Sequence, residues 1–394
     1  MPTLAPPSDH ARAISQTLAS RIAQSLQASQ GFLRFDDYMR LALYEPGLGY
    51  YAGGAHKFGH FSTDGSDFVT APELSPLFAR ALAVQVHEIL ELSEANVVME
   101  FGAGTGALAA GLLNALDDQC ARYRIVELSA SLREQQREII GKHAAAHAHK
   151  VEWLDALPER FSGCIVGNEV LDAMPIRIAH KTSNVTRERG VMLATAPTDE
   201  HPFEWQERDA DAALLASIQQ KGIDVDTLPN GYLVELHDEA EAFTSTIARM
   251  LERGAAVFID YGFPAAEYYH PQRTQGTLMC HYRHHAIDDP LRWPGLQDIT
   301  AHVDFSGIAR AAEDTGATLV GYTSQARFLM NCGVLDELSK VGVPGSTEYL
   351  RAANAALRLM SEAEMGELFK VIAISRGIEV DLVGFSRGDR RASL

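Results

Sequence analysis

The run Val97-Val98-Met99-Glu100-Phe101-Gly102-Ala103-Gly104-Thr105-Gly106 constrains this chain more than any other stretch. A short apolar segment closes on an acid, three glycines follow at every second position, and Ala107 to Leu116 continues with helical character. The pattern reads as strand, tight turn, helix. Glycine tolerates left-handed backbone and puts no side chain between the turn and a ligand that approaches it. About 20 residues on, at the distance where a ribose-binding acid is expected, the strand-like run Tyr123-Arg124-Ile125-Val126 ends in Glu127. An acid there can accept both hydroxyls of a ribose. The stretch points to a nucleoside-bearing ligand on an α/β sheet.

The same rhythm continues. Ser129 or Ser131 caps a helix reaching Ile140, and Val151 to Leu154 and Cys164 to Gly167 supply a third and fourth strand. Short apolar strands separated by helices predict a parallel, doubly wound sheet. Between 176 and 237 the rhythm breaks: Ile176 to Lys181, Val185 to Ala194, Phe203 to Arg208 and Tyr232 to Leu236 read as antiparallel strands, with a helix from Ala210 to Lys221. It resumes with a helix, Glu239 to Glu252, and a buried strand, Ala255 to Ile259, running into Asp260. Phe263 to Val303 shows no clear period. A helix from Phe305 to Asp314 and strands at Thr318 to Tyr322, Phe369 to Ile374 and Leu382 to Phe385 follow. Ahead of the glycine turn, Ile14 to Leu26 and Phe32 to Tyr44 read as helices. Ser75 caps another that has Pro76 first and Phe78, Leu82, Val86 and Ile89 on one face. The expected division is a disordered tail (1–8), a helical and loop cap (9–94), a main domain (95–175 and 238–394) and an inserted substrate-side subdomain (176–237).

Composition narrows the function. A net charge of −18 argues against nucleic acid and anionic membranes as partners. Four scattered cysteines without a CxxC pair suit a reducing, intracellular compartment. No apolar run is long enough for a bilayer, and the N-terminus has no signal-peptide core and fits a mitochondrial presequence poorly, so the expected location is cytoplasmic.

The glycine turn admits two cofactors. Gly102, Gly104 and Ala107 satisfy the dinucleotide pattern G-x-G-x-x-A, which would make the chain a nicotinamide-dependent oxidoreductase. Gly102, Gly104 and Gly106 satisfy the G-x-G-x-G of S-adenosylmethionine methyltransferases. Glu100 would repel a pyrophosphate but suits an ammonium, and no second nucleotide-binding half is visible. Beyond the fourth strand, Asn168-Glu169-Val170-Leu171-Asp172 lies where open α/β sheets bind ligands. Glu169 and Asp172 share one face if that segment is helical, and two carboxylates can fork a guanidinium or ammonium. Asp260 ends the fifth strand beside the same crevice. The histidine groups 143/147/149 and 281/284/285 read as solvated or packing residues, and no metal is expected.

Taken together, Tyr44-Glu45-Pro46-Gly47-Leu48-Gly49-Tyr50-Tyr51, Asp67 to Ser75, Glu100 to Gly106, Glu127-Leu128-Ser129, Asn168 to Pro175, Ile259 to Gly262, Gly276-Thr277-Leu278, Asp289-Pro290, Pro294-Gly295 and Asp298 to Phe305 resemble the MidA-type family of S-adenosylmethionine-dependent methyltransferases. That family includes the mitochondrial complex I assembly-factor arginine methyltransferase and its bacterial relatives. The resemblance runs in matching order over roughly residues 30 to 335. It implies a class I, Rossmann-like, seven-stranded methyltransferase sheet with an N-terminal extension and an insertion. It implies S-adenosyl-L-methionine held by Glu100, Gly102, Gly104, Gly106, Glu127 and Asn168, with Gly49, Tyr50 and the 65–73 segment covering it. The acceptor it implies is an arginine Nω of a protein, a respiratory complex I subunit in the family, giving symmetric dimethylarginine. Glu169, Asp172 and Asp260 are then the catalytic candidates. A non-catalytic assembly chaperone with a vestigial pocket is the remaining alternative.

Overall fold

The computed structural model describes residues 4–53, 70–283, 285–378 and 380–394. The expectations placed on 54–69, including the Asp67-Phe68-Val69 part of the family motif, lie outside these. The chain forms two compact units, Met1–Phe68 with Asp172–Ala240 and Ala266–His302, and Val69–Leu171 with Glu241–Ala265 and Val303–Leu394.

The second unit holds the glycine turn. Its strands are β1 (Val97–Phe101), β2 (Arg122–Val126), β3 (Val151–Leu154), β4 (Phe161–Asn168), β5 (Leu251–Phe263), β6 (Thr318–Ser324) and β7 (Phe369–Arg376). They lie in the order β3-β2-β1-β4-β5-β7-β6, and Val303–Asp304 adds a short pairing at the end of β5. Strands β1 to β5 run parallel, as the alternation with helices predicts, whereas β7 is antiparallel to both its neighbours. The sheet is therefore mixed. Its helices include α1 (Pro76–Ser93), α2 (Ala107–Leu116) and α3 (Ala130–His143). Ser75 Oγ accepts from Leu77 N at the start of α1, and Ser129, not Ser131, caps α3 by accepting from Leu132 N. Phe78, Leu82, Val86 and Ile89 are fully buried, and they join Leu112, Val166 and Val257 in one apolar cluster that spans helices and sheet.

Two sequence expectations are corrected in this unit. Strand β5 is much longer than Ala255 to Ile259. The segment Leu382 to Phe385 is not a strand: Val383–Phe385 is a single 3-10 turn. Its amides are taken by side chains, Val383 N by Glu88 Oε2 and Gly384 N by Gln85 Oε1, both at 2.8 Å, so no ladder forms.

The first unit contains helices Asp9–Ala28 and Phe35–Tyr44 and an antiparallel sheet of Arg177–Lys181, Thr186–Leu193, Phe203–Asp209 and Leu233–Leu236. Leu33–Arg34 also belongs to this sheet, pairing with Val191 and Gly190, so the helix expected from Phe32 begins only at Phe35. The stretch without sequence period holds a second sheet, Met279–Tyr282, His285–Ile287 and Asp298–Thr300. Leu18, Ile22, Phe35, Tyr38, Tyr50, Ile178 and Ile299 form this unit's main core.

Candidate functional site

In the second unit β1 ends at Phe101 and the chain turns through three glycines with φ of +64° (Gly102), +51° (Gly104) and +91° (Gly106). All three are left-handed, which side-chain-bearing residues rarely adopt. A Cβ on Gly102 would also stand 2.7 Å from Val170 Cγ2. Gly106 is the N-cap of α2, so the turn delivers the chain to a helix N-terminus. Thr105 Oγ1 donates to Glu73 Oε1 at 3.0 Å, which ties the turn to the Pro72-Glu73-Leu74-Ser75 end of an N-terminal motif.

Glu127 follows β2, half-buried. Its Oε1 accepts from Ser129 N (2.8 Å) and its Oε2 from Gln136 Nε2 (3.3 Å). Burial raises its pKa, and those hydrogen bonds oppose the rise. Gln136 escaped the sequence reading. It is fully buried on α3, donates also to Gly104 O at 3.1 Å, and accepts from Trp153 Nε1 at 2.8 Å. One amide thus joins the glycine turn, the acid after β2 and a tryptophan on β3. The only sequence hint was a polar residue on the inner face of the first helix after Glu127.

Glu100 lies elsewhere than the tip of the turn. It is 1 % exposed within the core, its Oε2 accepts from Tyr123 OH at 2.6 Å, and burial pushes its carboxyl up to about 7.

At the end of β4, Asn168 is buried. Its Nδ2 donates to Glu169 Oε1 at 2.9 Å, while its Oδ1 has no hydrogen-bond partner among the described residues. Glu169 has φ +54°, a left-handed non-glycine residue, and its N–H donates to Ile259 O. Asp260, fully buried on β5, pins the next turn: its Oδ2 accepts from Val170 N (3.0 Å) and Leu171 N (2.8 Å), and its Oδ1 from Tyr261 N (3.0 Å). The residues from Asn168 to Asp172 do not form a helix, so the i, i+3 face expected for Glu169 and Asp172 is absent.

The second unit thus brings together Glu100, Gly102, Gly104, Gly106, Glu127, Asn168, Glu169 and Asp260. Asp172, Gly49 and Tyr50 belong to the first unit. A Cβ on Gly49 would collide with Glu45 N at 2.6 Å and Leu43 O at 2.7 Å, so the turn after helix Phe35–Tyr44 has room only for glycine. Tyr50 is 1 % exposed in that unit's core.

The donor and acceptor set of the second unit fits a nucleoside that carries an amino-acid group. It offers a carboxylate for a ribose diol, a turn whose three glycines carry no Cβ, and a buried amide oxygen without a partner among the described residues. A mixed sheet in the order 3-2-1-4-5-7-6 with a glycine turn after its first strand defines a class I methyltransferase. The comparisons agree. A family model described as S-adenosyl-L-methionine-dependent methyltransferase matches residues 77–323. A crystal structure of a COG1565 superfamily member from Burkholderia thailandensis, bound to S-adenosyl-homocysteine, is 54 % identical, with a TM-score of 0.94 and full coverage of both chains. Protein arginine methyltransferase NDUFAF7, mitochondrial, from Danio rerio is 25 % identical over 92 % of this chain and 87 % of its own length. The Homo sapiens protein of that name is 25 % identical over 88 % and 80 %. The chain belongs to this MidA-type family of S-adenosylmethionine-dependent methyltransferases. S-adenosyl-L-methionine is its cofactor, which decides between the two ligands the glycine turn admits.

Proposed function

We propose that the chain methylates arginine Nω in a protein substrate, producing symmetric dimethylarginine as the family resemblance implies. A subunit of a respiratory complex I is the substrate class to try first. The observation that carries the reading is the turn after β4, where Asp260 holds the Val170 and Leu171 amides and Glu169 stands in left-handed backbone beside a buried amide oxygen. A carboxylate on a strained, clamped turn beyond the sheet's strand ends supports a ligand-binding role for that turn. Relatives named as protein arginine methyltransferases support the same acceptor.

We assign Gly102, Gly104, Gly106, Glu127 and Asn168 to the cofactor. Glu100 and Tyr123 support the turn from within the core. S-adenosyl-L-methionine supplies a methyl group already activated on a sulfonium, so the protein's task is alignment. Glu169 accepts N–H bonds from the guanidinium. Holding it by one edge localises a lone pair on the nitrogen at the other. Asp260, its oxygens taken by backbone amides, is a positioning residue.

The test is methyl-labelled S-adenosylmethionine incubated with a bacterial protein extract and the purified chain, followed by complete hydrolysis. Label in dimethylarginine is expected. Label confined to other amino acids or to small molecules would overturn the arginine assignment while leaving the methyltransferase intact.

A further inference from the structure

In the first unit three segments far apart in sequence bring two carboxylates and two tyrosines together. Tyr51 donates its hydroxyl to Asp298 Oδ1 at 2.7 Å. The rings of Tyr44 and Tyr51 stack with centroids 5.5 Å apart and planes 26° from parallel. Tyr44 OH donates to Ala173 O at 2.9 Å, next to Asp172, and Ala301 N donates to Asp172 O at 3.0 Å. Asp172 is thereby tied to the end of the strand that carries Asp298. Both acids are 4 % exposed, whereas Tyr44 is 40 % exposed, so the aromatic stack runs from the surface to buried carboxylates. Burial raises the Tyr51 hydroxyl pKa and Asp298, Tyr44 and Asp172 raise it further, which keeps that hydroxyl a donor.

A second, independent observation points to a ligand. Thr300 is 2 % exposed and its Oγ1 has no hydrogen-bond partner among the described residues. It stands two residues after Asp298 on strand Asp298–Thr300, so both side chains project from one face. A buried hydroxyl left without a partner costs the desolvation of that group, and a ligand N–H would relieve it.

We infer that Asp172, Asp298 and Thr300, with the rings of Tyr44 and Tyr51, form a binding subsite for the guanidinium of an arginine side chain. A guanidinium is planar, presents five N–H donors, pairs with carboxylates in a fork and stacks on tyrosine, and this subsite offers a partner for each property. An ammonium satisfies the acids but not the stack. The subsite rests on the arginine reading above and deepens it by separating residues that select the acceptor from those that hold the cofactor.

The experiment is calorimetric titration of the full chain, saturated with S-adenosyl-homocysteine, with acetyl-Gly-Arg-Gly-amide and its lysine and citrulline counterparts. The arginine peptide binds tighter than the lysine peptide, and the uncharged, isosteric citrulline peptide does not bind. Thr300→Val weakens the arginine peptide about tenfold and leaves the thermal midpoint equal or higher, because it deletes a hydroxyl without a protein partner. Asp298→Asn weakens it at least as much, with S-adenosyl-homocysteine affinity retained. No binding by the parent chain, equal binding of citrulline or lysine, or unchanged affinity in Thr300→Val overturns the subsite. Methyl label on arginine together with unchanged peptide binding in both variants keeps the arginine reading and removes only the subsite. Label on other residues removes the arginine reading, and the titration still decides whether the subsite binds a guanidinium.

Discussion

Glu169 occupies left-handed backbone at φ +54°, where a side chain costs about 1–2 kcal/mol relative to glycine. Glu169→Gly therefore resists urea better than Glu169→Ala by about 1 kcal/mol, and both variants lose methyl transfer. Equal stability of the two would mean that the turn relaxes without the glutamate. Glu100 carries a different kind of tension. Its carboxyl is raised from an ordinary 4.5 to about 7 by burial, so between these values the folded chain keeps a proton that the unfolded chain has lost. Folding is then favoured at the acid end of that window. Its contribution falls as pH rises through about 7, above which the charged, buried form is a constant cost. Glu100→Gln still accepts from Tyr123 and does not titrate. Its stability relative to the parent should rise by about 3 kcal/mol from pH 4 to pH 8 in urea unfolding, and a pH-independent difference would refute the shifted titration. Neither tension was visible in the sequence. Spacing showed an acid before the glycines and acids after β4 and β5. It could not show that Asp260 would be spent on amides about ninety residues earlier, or that Tyr123 would claim Glu100, because both pairings depend on strand register.

At the scale of elements, the strand, turn and helix from Val97 to Leu116 were legible because glycine positions and apolar period agree locally. The cradle is completed by α3, whose Gln136 joins Gly104 O to Glu127. Glu127→Ala removes the proposed ribose acceptor and should weaken S-adenosyl-homocysteine about tenfold or more in calorimetry. Gly104→Val must hold a branched residue at φ +51° and should abolish binding. Normal affinity in both variants would move the cofactor away from this turn. The motif Gly276-Thr277-Leu278 marks a second element whose logic appears only in three dimensions. Thr277 N, Leu278 N, Thr277 Oγ1 and Tyr268 OH all donate to the Glu235 carboxylate, and a Cβ on Gly276 (φ +72°) would stand 2.3 Å from Glu235 Oε1. Strand Asp298–Thr300 was missed for a related reason: it is three residues long, buried throughout and flanked by aperiodic chain, so no alternation could betray it.

Over the whole molecule, the class of fold followed from alternating strands and helices, whereas the two compact units did not, because each is assembled from three separated stretches of chain. This division supplies a probe. The chain has three tryptophans; Trp153 lies in the second unit, and Trp205 and Trp293 in the first. Trp153 donates to Gln136, the residue that also holds Gly104 and Glu127, so its indole is one hydrogen bond removed from the cradle proposed for the cofactor. In the Trp205→Phe, Trp293→Phe double variant, fluorescence reports this cradle alone. S-adenosyl-homocysteine at 100 times its Kd should stabilise that signal by about 2.7 kcal/mol, moving the urea midpoint upward without changing the slope, since a ligand that binds only the folded state leaves the exposed surface unchanged. Removing the Trp153–Gln136 link with Gln136→Leu should lower the affinity and shrink the shift. A Trp153 signal indifferent to ligand, in a chain that still binds it by calorimetry, would place the nucleoside away from the β1, β2 and α3 ends.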